Sequence, residues 1–243
     1  MALVAGASRG IGLALVRKLL SSRDTRRVYA SYRQASTSQD LLAINDSRLV
    51  TVSVDITDPS ELKALADTLR SNGDQPDLVI NAAGILHEQG IRPEKALGQC
   101  RQESLSRLFM VNSIGPLLLA KSIIPLMPKT GKSHFAVLSA MVGSITDNRL
   151  GGWYGYRASK AALNQFMRTL AIECRRSHPG LCVTAIHPGT TDTSLSQPFQ
   201  SNVKPGKLYT TAQTAERIVR VVGAGQPEQS GRFVNWDGET LPW

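Results

Sequence analysis

Two residues of this chain are suited to moving a proton. Tyr156 and Lys160 lie four positions apart in the stretch YGYRASK. On a helix that spacing puts both side chains on one face. A phenol with its ordinary pKa of about 10 is a poor acid or base at neutral pH, and a neighbouring ammonium stabilises the phenolate and lowers that value. The spacing equally fits an ordinary amphipathic helix that happens to carry a Tyr and a Lys. Tyr154, two residues away, faces elsewhere on the same helix.

A second group of residues is suited to holding a phosphate. Gly6, Ser8, Arg9, Gly10, Ile11 and Gly12 belong to the segment GASRGIG, with the pattern G-x-x-x-G-x-G. It follows the apolar run ALVA and opens a helical pattern. Glycines let the backbone turn tightly and come close to a pyrophosphate, whose charge suits a helix N-terminus. The strand-loop-helix context favours a dinucleotide site over a mere turn. NAD sites usually present a carboxylate at the end of the second strand, for the ribose hydroxyl. Here that place reads Ser31-Tyr32-Arg33, with no carboxylate until Asp40. Arg33 and Arg9 suit a 2′-phosphate, so the cofactor expected is NADP(H).

Strands and helices alternate to position these groups. Strands are expected at 2–5, 28–32, 49–54, 78–81, 134–139, 181–187 and 232–234, from apolar and β-branched runs. Helices are expected at 11–20, weakly at 38–44, from Asp58-Pro59 to Asn72-Gly73, at 102–125, at 154–176 and at 212–222. Gly115-Pro116 should kink the 102–125 helix. Residues 188–209, rich in Pro, Ser, Thr and Gly, read as a long loop, of which about 190–209 would face substrate. Repeated β-α-β units imply a parallel sheet with helices on both faces. The expectation is a single-domain doubly wound (Rossmann) α/β fold over residues 1–243, with a sheet of about seven strands.

The chain has 243 residues, and 42% of them are apolar. That is ample for a core, since chains of this size bury about 70% or more of their unfolded surface. No apolar run reads as a membrane span. No basic segment with a cleavage site precedes the first strand, so the expected location is the cytoplasm. Cys100, Cys174 and Cys182 lack metal-like spacing and read as free thiols. The net charge of +9 raises nucleic acid as a partner. The basic residues are scattered and aromatics make up only 5%, so a basic enzyme with an anionic ligand fits better. His87, His134, His178 and His187 lack ligand spacing, and no metal site is expected.

The order of motifs resembles the short-chain dehydrogenase/reductase family over nearly the whole chain. It runs from the glycine loop through Asn81-Ala82-Ala83-Gly84, Asn112, a serine after the fifth strand and Tyr156/Lys160 to Pro188-Gly189. The stretches GSITDNRLGGWYGYRASKAALN and GRFVNWDGETLPW resemble a narrower group, the C-factor and sniffer-type carbonyl reductases. The resemblance implies reduction of an aldehyde or ketone, or the reverse, by direct hydride transfer with Tyr156 as acid or base. Lys160 would bind the nicotinamide ribose and lower the tyrosine's pKa. Asn112 would sit in a distorted helix and hold a relay water. Asn81, Ala82, Ala83 and Gly84 would line the adenosine side, and Asp55 and Ile56 would contact adenine. Pro188, Gly189, Thr190, Thr191 and Thr193 would close over nicotinamide and pyrophosphate. A small-molecule substrate and a homodimer or homotetramer are implied.

Two departures from the family pattern stand out. Ala5 replaces the usual threonine ahead of the loop. Ala140 occupies the position of the serine that should hold the substrate carbonyl. Ser139, one residue earlier at the strand end, is taken for that role, with Ser144 as the alternative. Neighbouring strand residues point to opposite faces, so Ser139 needs a register shift or bulge to serve. The alternative function is a cofactor-binding signalling protein of C-factor type, in which catalysis is dispensable.

Overall fold

Ala2–Ala5 (β1) is apolar throughout, and all four residues are buried. A strand covered on both faces has that composition, whereas a half-exposed strand alternates. The computed structural model, which describes residues 1–243, makes β1 an interior strand of a parallel sheet. The other strands are β2 (Val28–Tyr32), β3 (Leu49–Ser53), β4 (Leu78–Asn81), β5 (Ser133–Leu138) and β6 (Leu181–His187). The short β7 (Thr190–Thr191) and β8 (Leu208–Tyr209) pair only with each other, and β9 (Arg232–Asn235) closes the main sheet. The seven-stranded order is β3-β2-β1-β4-β5-β6-β9. The register places Ala5 beside Asn81 and His187 beside Asn235. The order reverses between β1 and β4, which opens a crevice at their carboxyl ends.

The helices are α1 (Gly10–Leu20), the single turn α2 (Gln39–Leu42), α3 (Pro59–Ser71), α4 (Gln102–Phe109), α5 (Gly115–Ile123), α6 (Tyr154–Ser177) and α7 (Thr211–Ala224). Leu3, Tyr29, Val79, Phe135 and Val183 join apolar residues of α3, α5 and α6 in one core. Val4, Ala30, Ile80, Ala136 and Ile186 join α1 and α7 in another. Adjacent strand residues thus feed opposite faces, as the pleat requires. The Asp58 side chain accepts from the Ser60 and Glu61 N–H groups, and Pro59 sits in the first turn, so α3 starts where that motif predicts.

The structure bears out the expected distortion of one helix and changes two other expectations. The helix over 102–125 is interrupted by a π turn at Met110–Ile114, just before Gly115-Pro116. Pro116 has no N–H for the carbonyl four residues back, that of Asn112, and the wider turn takes up the defect. Gly115 allows the tight fit, because a Cβ there would lie 3.0 Å from Ile56. Next, Gln102–Leu126 is long and apolar enough, by length and composition, to cross a membrane. Its residues Leu119, Ala120 and Ile123 are fully buried in the core, as expected of a core helix. Lastly, 188–209 is no open loop: β7 and β8 pair, and a 3₁₀ segment spans Gln197–Asn202.

Candidate active site

The crevice between β1 and β4 is floored by the glycine loop. Gly6 has φ +75°, and a Cβ there would meet the Ala83 backbone nitrogen at 2.6 Å. Gly12 is held still closer to the Gly6 carbonyl. Only glycine permits these approaches. Arg9 at the N-cap of α1 makes no side-chain cap, and no acidic residue lies in the first turn. The first N–H groups of α1 therefore point into the crevice without an internal acceptor. The missing threonine is offset by Ser31: its hydroxyl accepts from Gly6 N (3.3 Å), and its carbonyl accepts from Ala7 N (2.7 Å).

Gly6, Ser8, Arg9, Gly10, Ile11, Gly12, Arg33, Asp55, Ile56, Ala82, Ala83, Gly84 and Thr193 all line this cleft. Arg9 and Arg33 are exposed at its mouth. Asp55 is its one carboxylate, with Oδ1 accepting from Thr57 N (2.9 Å) and Thr57 Oγ1 (2.7 Å). Tyr32, Thr37, Val54, Ile85, His87, Val111, Ser194 and Leu195 line it as well and escaped the sequence reading. The signal for Tyr32, Val54 and Ile85 was available, since each adjoins a strand end or a recognised motif. Leu195 and His87 meet only in three dimensions, where His87 Nε2 bonds the carbonyls of Ser194 (3.2 Å) and Leu195 (3.1 Å).

Beside the cleft but outside its lining, α6 presents Tyr156, Ser159 and Lys160 on its buried face, with Lys160 Nζ 3.5 Å from a Cβ built on Gly84. Burial raises the Tyr156 phenol above its ordinary range. Burial also pushes Lys160 down to about 8. Its Nζ donates to the Leu138 carbonyl at 2.7 Å and lies 5.8 Å from the Tyr156 ring centre. Asn112, in the π turn, accepts from Ile85 N (2.8 Å) and donates to Ile85 O (2.8 Å) and Ser159 Oγ (3.0 Å). One fully buried amide thus ties the β4 loop to both α6 and the distorted helix.

Ser139 does not join this group. Its hydroxyl is buried and donates to Asn164 Oδ1 at 2.6 Å. Ala140 instead packs against the apolar cluster of Leu86, Ile91, Leu108 and Tyr156, as do Trp153 and Phe199. Strand alternation sends the two neighbours to different sides, and no bulge reverses it. Ser144 donates to the Trp243 carbonyl (3.1 Å) and accepts from Asp147 N (3.0 Å). The place expected of a serine hydroxyl is therefore held by a methyl group.

Other residues read from the sequence also sit differently. Asn81 is fully buried beneath the cleft, and its amide bridges the main chain of Ala83. It supports the loop without lining it. Thr191 is buried, with its hydroxyl 2.8 Å from that of Thr214, so its side chain faces the body. Pro188, Gly189 and Thr190 are not among the residues that line the cleft. A Cβ on Gly189 (φ +77°) would fall 2.9 Å from the Tyr209 ring and 3.1 Å from Trp236. The guanidinium of Arg217 stacks on those two rings at 4.0 and 4.1 Å. The three cysteines are free, and no three His, Cys, Asp or Glu side chains gather where a metal would bind.

The family model for short chain dehydrogenase matches residues 1–204. The 1-hydroxy-2-glutathionyl-2-methyl-3-butene dehydrogenase of Rhodococcus sp. (strain AD45) is 31% identical over 99% of this chain and 98% of its own. The C-signal protein of Myxococcus xanthus is 30% identical over 69% of this chain and 92% of its own. Among solved structures, the NADPH-bound carbonyl reductase from chicken fatty liver superposes with a TM-score of 0.85. It shares 30% identity, over 100% of this chain and 93% of that one. The carbonyl reductase Sniffer of D. melanogaster (TM-score 0.86, covering 100% and 98%) shares the fold at 24% identity. A glycine cradle at the β1/β4 crevice, a tyrosine and lysine on one buried helix face and an asparagine in a π turn thus coincide with a family match over most of the sequence: the chain belongs to the short-chain dehydrogenase family.

Proposed function

We propose that the protein is an NADP(H)-dependent oxidoreductase that reduces the carbonyl of an aldehyde or ketone, with Tyr156 as the proton donor. The observation that carries this reading is the buried Tyr156 phenol on the same helix face as Lys160, whose Nζ would lie 3.5 Å from a Cβ on Gly84 of the glycine-lined cleft. The cleft residues fit a phosphorylated dinucleotide. The Gly6–Gly12 loop and the open N-terminus of α1 suit the pyrophosphate. Arg9 and Arg33 suit a 2′-phosphate, since no carboxylate at the end of β2 competes for it. When bound, the nicotinamide supplies the hydride.

The chain's own groups handle the proton. Burial keeps the Tyr156 phenol protonated, so the proton for the developing alkoxide is in place, while making it a weaker acid than a free phenol. Lys160, held on the Leu138 carbonyl, brings a positive charge near the phenol and eases its loss of the proton. Asn112 fixes Ile85 and Ser159 around that pair, so the donor keeps its place. Leu86, Ile91, Trp153 and Phe199 keep water from the reacting carbonyl. The test is to titrate the protein with NADPH and NADH and then follow NADPH consumption over a panel of aldehydes and ketones. Tight NADPH binding with turnover of some carbonyl supports the reading; no turnover from a cofactor-saturated protein counts against it.

Ala140 favours a second reading, in which cofactor binding serves signalling and catalysis is weak. Removing one preorganised donor typically costs about 10²–10³ in rate. In this case a Tyr156→Phe variant would leave the biological activity unchanged.

A further inference from the structure

The helix that carries Tyr156 begins in an unusual way. Gly151 (φ +63°), Gly152 (φ +64°) and Trp153 (φ +51°) are all left-handed, and Trp153 is the one non-glycine residue in the chain with positive φ. Trp153 offers no side-chain cap to α6. The first N–H groups of a helix have no internal acceptor, and a local Ser, Thr, Asp or Asn usually supplies one. Here the acceptor comes from 61 residues upstream: Glu94 Oε2 accepts from Gly155 N at 3.2 Å, and the Glu94 carbonyl accepts from Trp153 N at 2.5 Å.

Glu94 is only 3% exposed and takes part in none of the salt bridges. Its second oxygen, Oε1, has no hydrogen-bond partner. A buried carboxylate is costly without compensation, and the positive end of a long helix supplies some. The fit is close. A Cβ on Gly155 would lie 3.0 Å from Oε1 and 2.6 Å from Leu108. The residue after Gly155 is Tyr156. The Trp153 ring meets the Tyr156 ring edge-on at 6.2 Å and the Phe199 ring at 4.9 Å.

We infer that Glu94 is a positioning residue for Tyr156: its carboxylate caps α6 from across the fold and sets where the phenol and the Trp153 ring stand beside the substrate space. This rests on the reading of Tyr156 as the proton donor. An ordinary cap contributes stability and nothing else. A cap one residue from the reacting group also sets geometry, where a displacement of about 1 Å costs on the order of 10²-fold in rate.

The test compares Glu94→Gln, Glu94→Asp and Glu94→Ala with the wild type in the full chain. Gln keeps an acceptor at the same reach; Asp keeps the charge but is one methylene too short. Steady-state reduction of a ketone from the active panel is one readout. The other uses no cofactor: NMR of protein labelled with ¹³C at the tyrosine ring, with the Tyr156 resonance assigned by Tyr156→Phe among the five tyrosines. Expected is that E94D and E94A lose at least about tenfold in kcat with KM for NADPH little changed, while E94Q stays within about threefold. The Tyr156 resonance should move in E94D and E94A and stay in place in E94Q, with those of Tyr29, Tyr32 and Tyr209, far from this cap, unmoved throughout. If E94A does not fold, the Gln and Asp variants decide. Wild-type kcat and an unmoved Tyr156 resonance in E94D would overturn the inference, as would an E94Q variant as impaired as E94D. If the wild type reduces no carbonyl, the reductase reading fails, while the NMR comparison still decides whether Glu94 places Tyr156.

Discussion

Lys160 Nζ and Asn112 Oδ1 converge on the same point above Gly84: a Cβ built there would lie 3.5 Å from the first and 3.3 Å from the second. Each group already has one fixed partner, the Leu138 carbonyl for Lys160 and the Ile85 N–H for Asn112. The absent side chain leaves a space between a proton-carrying ammonium and an amide oxygen, next to the proposed donor.

Gly84→Ala should fill that space without breaking the fold, in ordinary contact with Lys160 Nζ but close enough to Asn112 Oδ1 that the amide must give by a few tenths of an ångström. Expected is a fall in kcat of roughly ten- to a hundredfold, from displaced acid–base groups. The melting temperature should move by only a few degrees, since surface-to-contact substitutions of this kind cost about 1 kcal/mol. Steady-state kinetics and a thermal melt check it.

Arg33→Ala should weaken NADPH and spare NADH. A lost charge-assisted hydrogen bond is worth about 1.5–3 kcal/mol, so NADPH affinity should fall about ten- to a hundredfold. Calorimetric titration of both cofactors at two salt concentrations checks it. The preference for NADPH should also shrink in the wild type as salt rises, because Arg33 is exposed.

The two residues after β5 should behave oppositely. Ser139→Ala leaves Asn164 Oδ1 without its donor and should cost about 1–3 kcal/mol of stability with kcat nearly unchanged. Ala140→Ser places a hydroxyl beside Tyr156 and should raise kcat/KM, by up to about 10²-fold where the hydroxyl reaches the carbonyl oxygen. Urea unfolding and kinetics on both variants separate these effects.

His187 should make the fold sensitive to acid. Burial lowers its pKa from 6.5 to about 4, and its Nδ1 has no partner. The unfolded chain therefore takes up a proton near pH 6.5 that the folded protein refuses until about 4. Stability falls as pH drops through that window and levels off below it. His187→Asn should flatten this part of the curve, which denaturant midpoints at several pH values in both proteins would reveal.

Much of this architecture was readable from local chemistry. Ala2–Ala5, Val28–Tyr32 and Leu181–His187 are strands where apolar runs predicted them, and Asp58-Pro59 starts its helix. The glycine loop and the Tyr156/Lys160 spacing were equally plain, because each depends on residues close in sequence. What escaped depends on partners far apart. Asn112 was recognisable, but its grip on Ile85 and Ser159 needed the fold. Ser139 looked like the stand-in for a missing serine until Asn164 appeared opposite it. Thr191 turned inward because Thr214 of α7 meets it. Glu94 gave no local sign at all, since the helix it caps begins 60 residues downstream of it, at Tyr154.

The central claim is that Tyr156 donates the proton, and single-turnover kinetics of Tyr156→Phe test it most directly. The variant keeps the ring that packs against Trp153 and loses only the hydroxyl. It should bind NADPH as the wild type does and reduce a verified ketone at least about 10²-fold more slowly. Unchanged binding together with wild-type turnover would contradict the assignment.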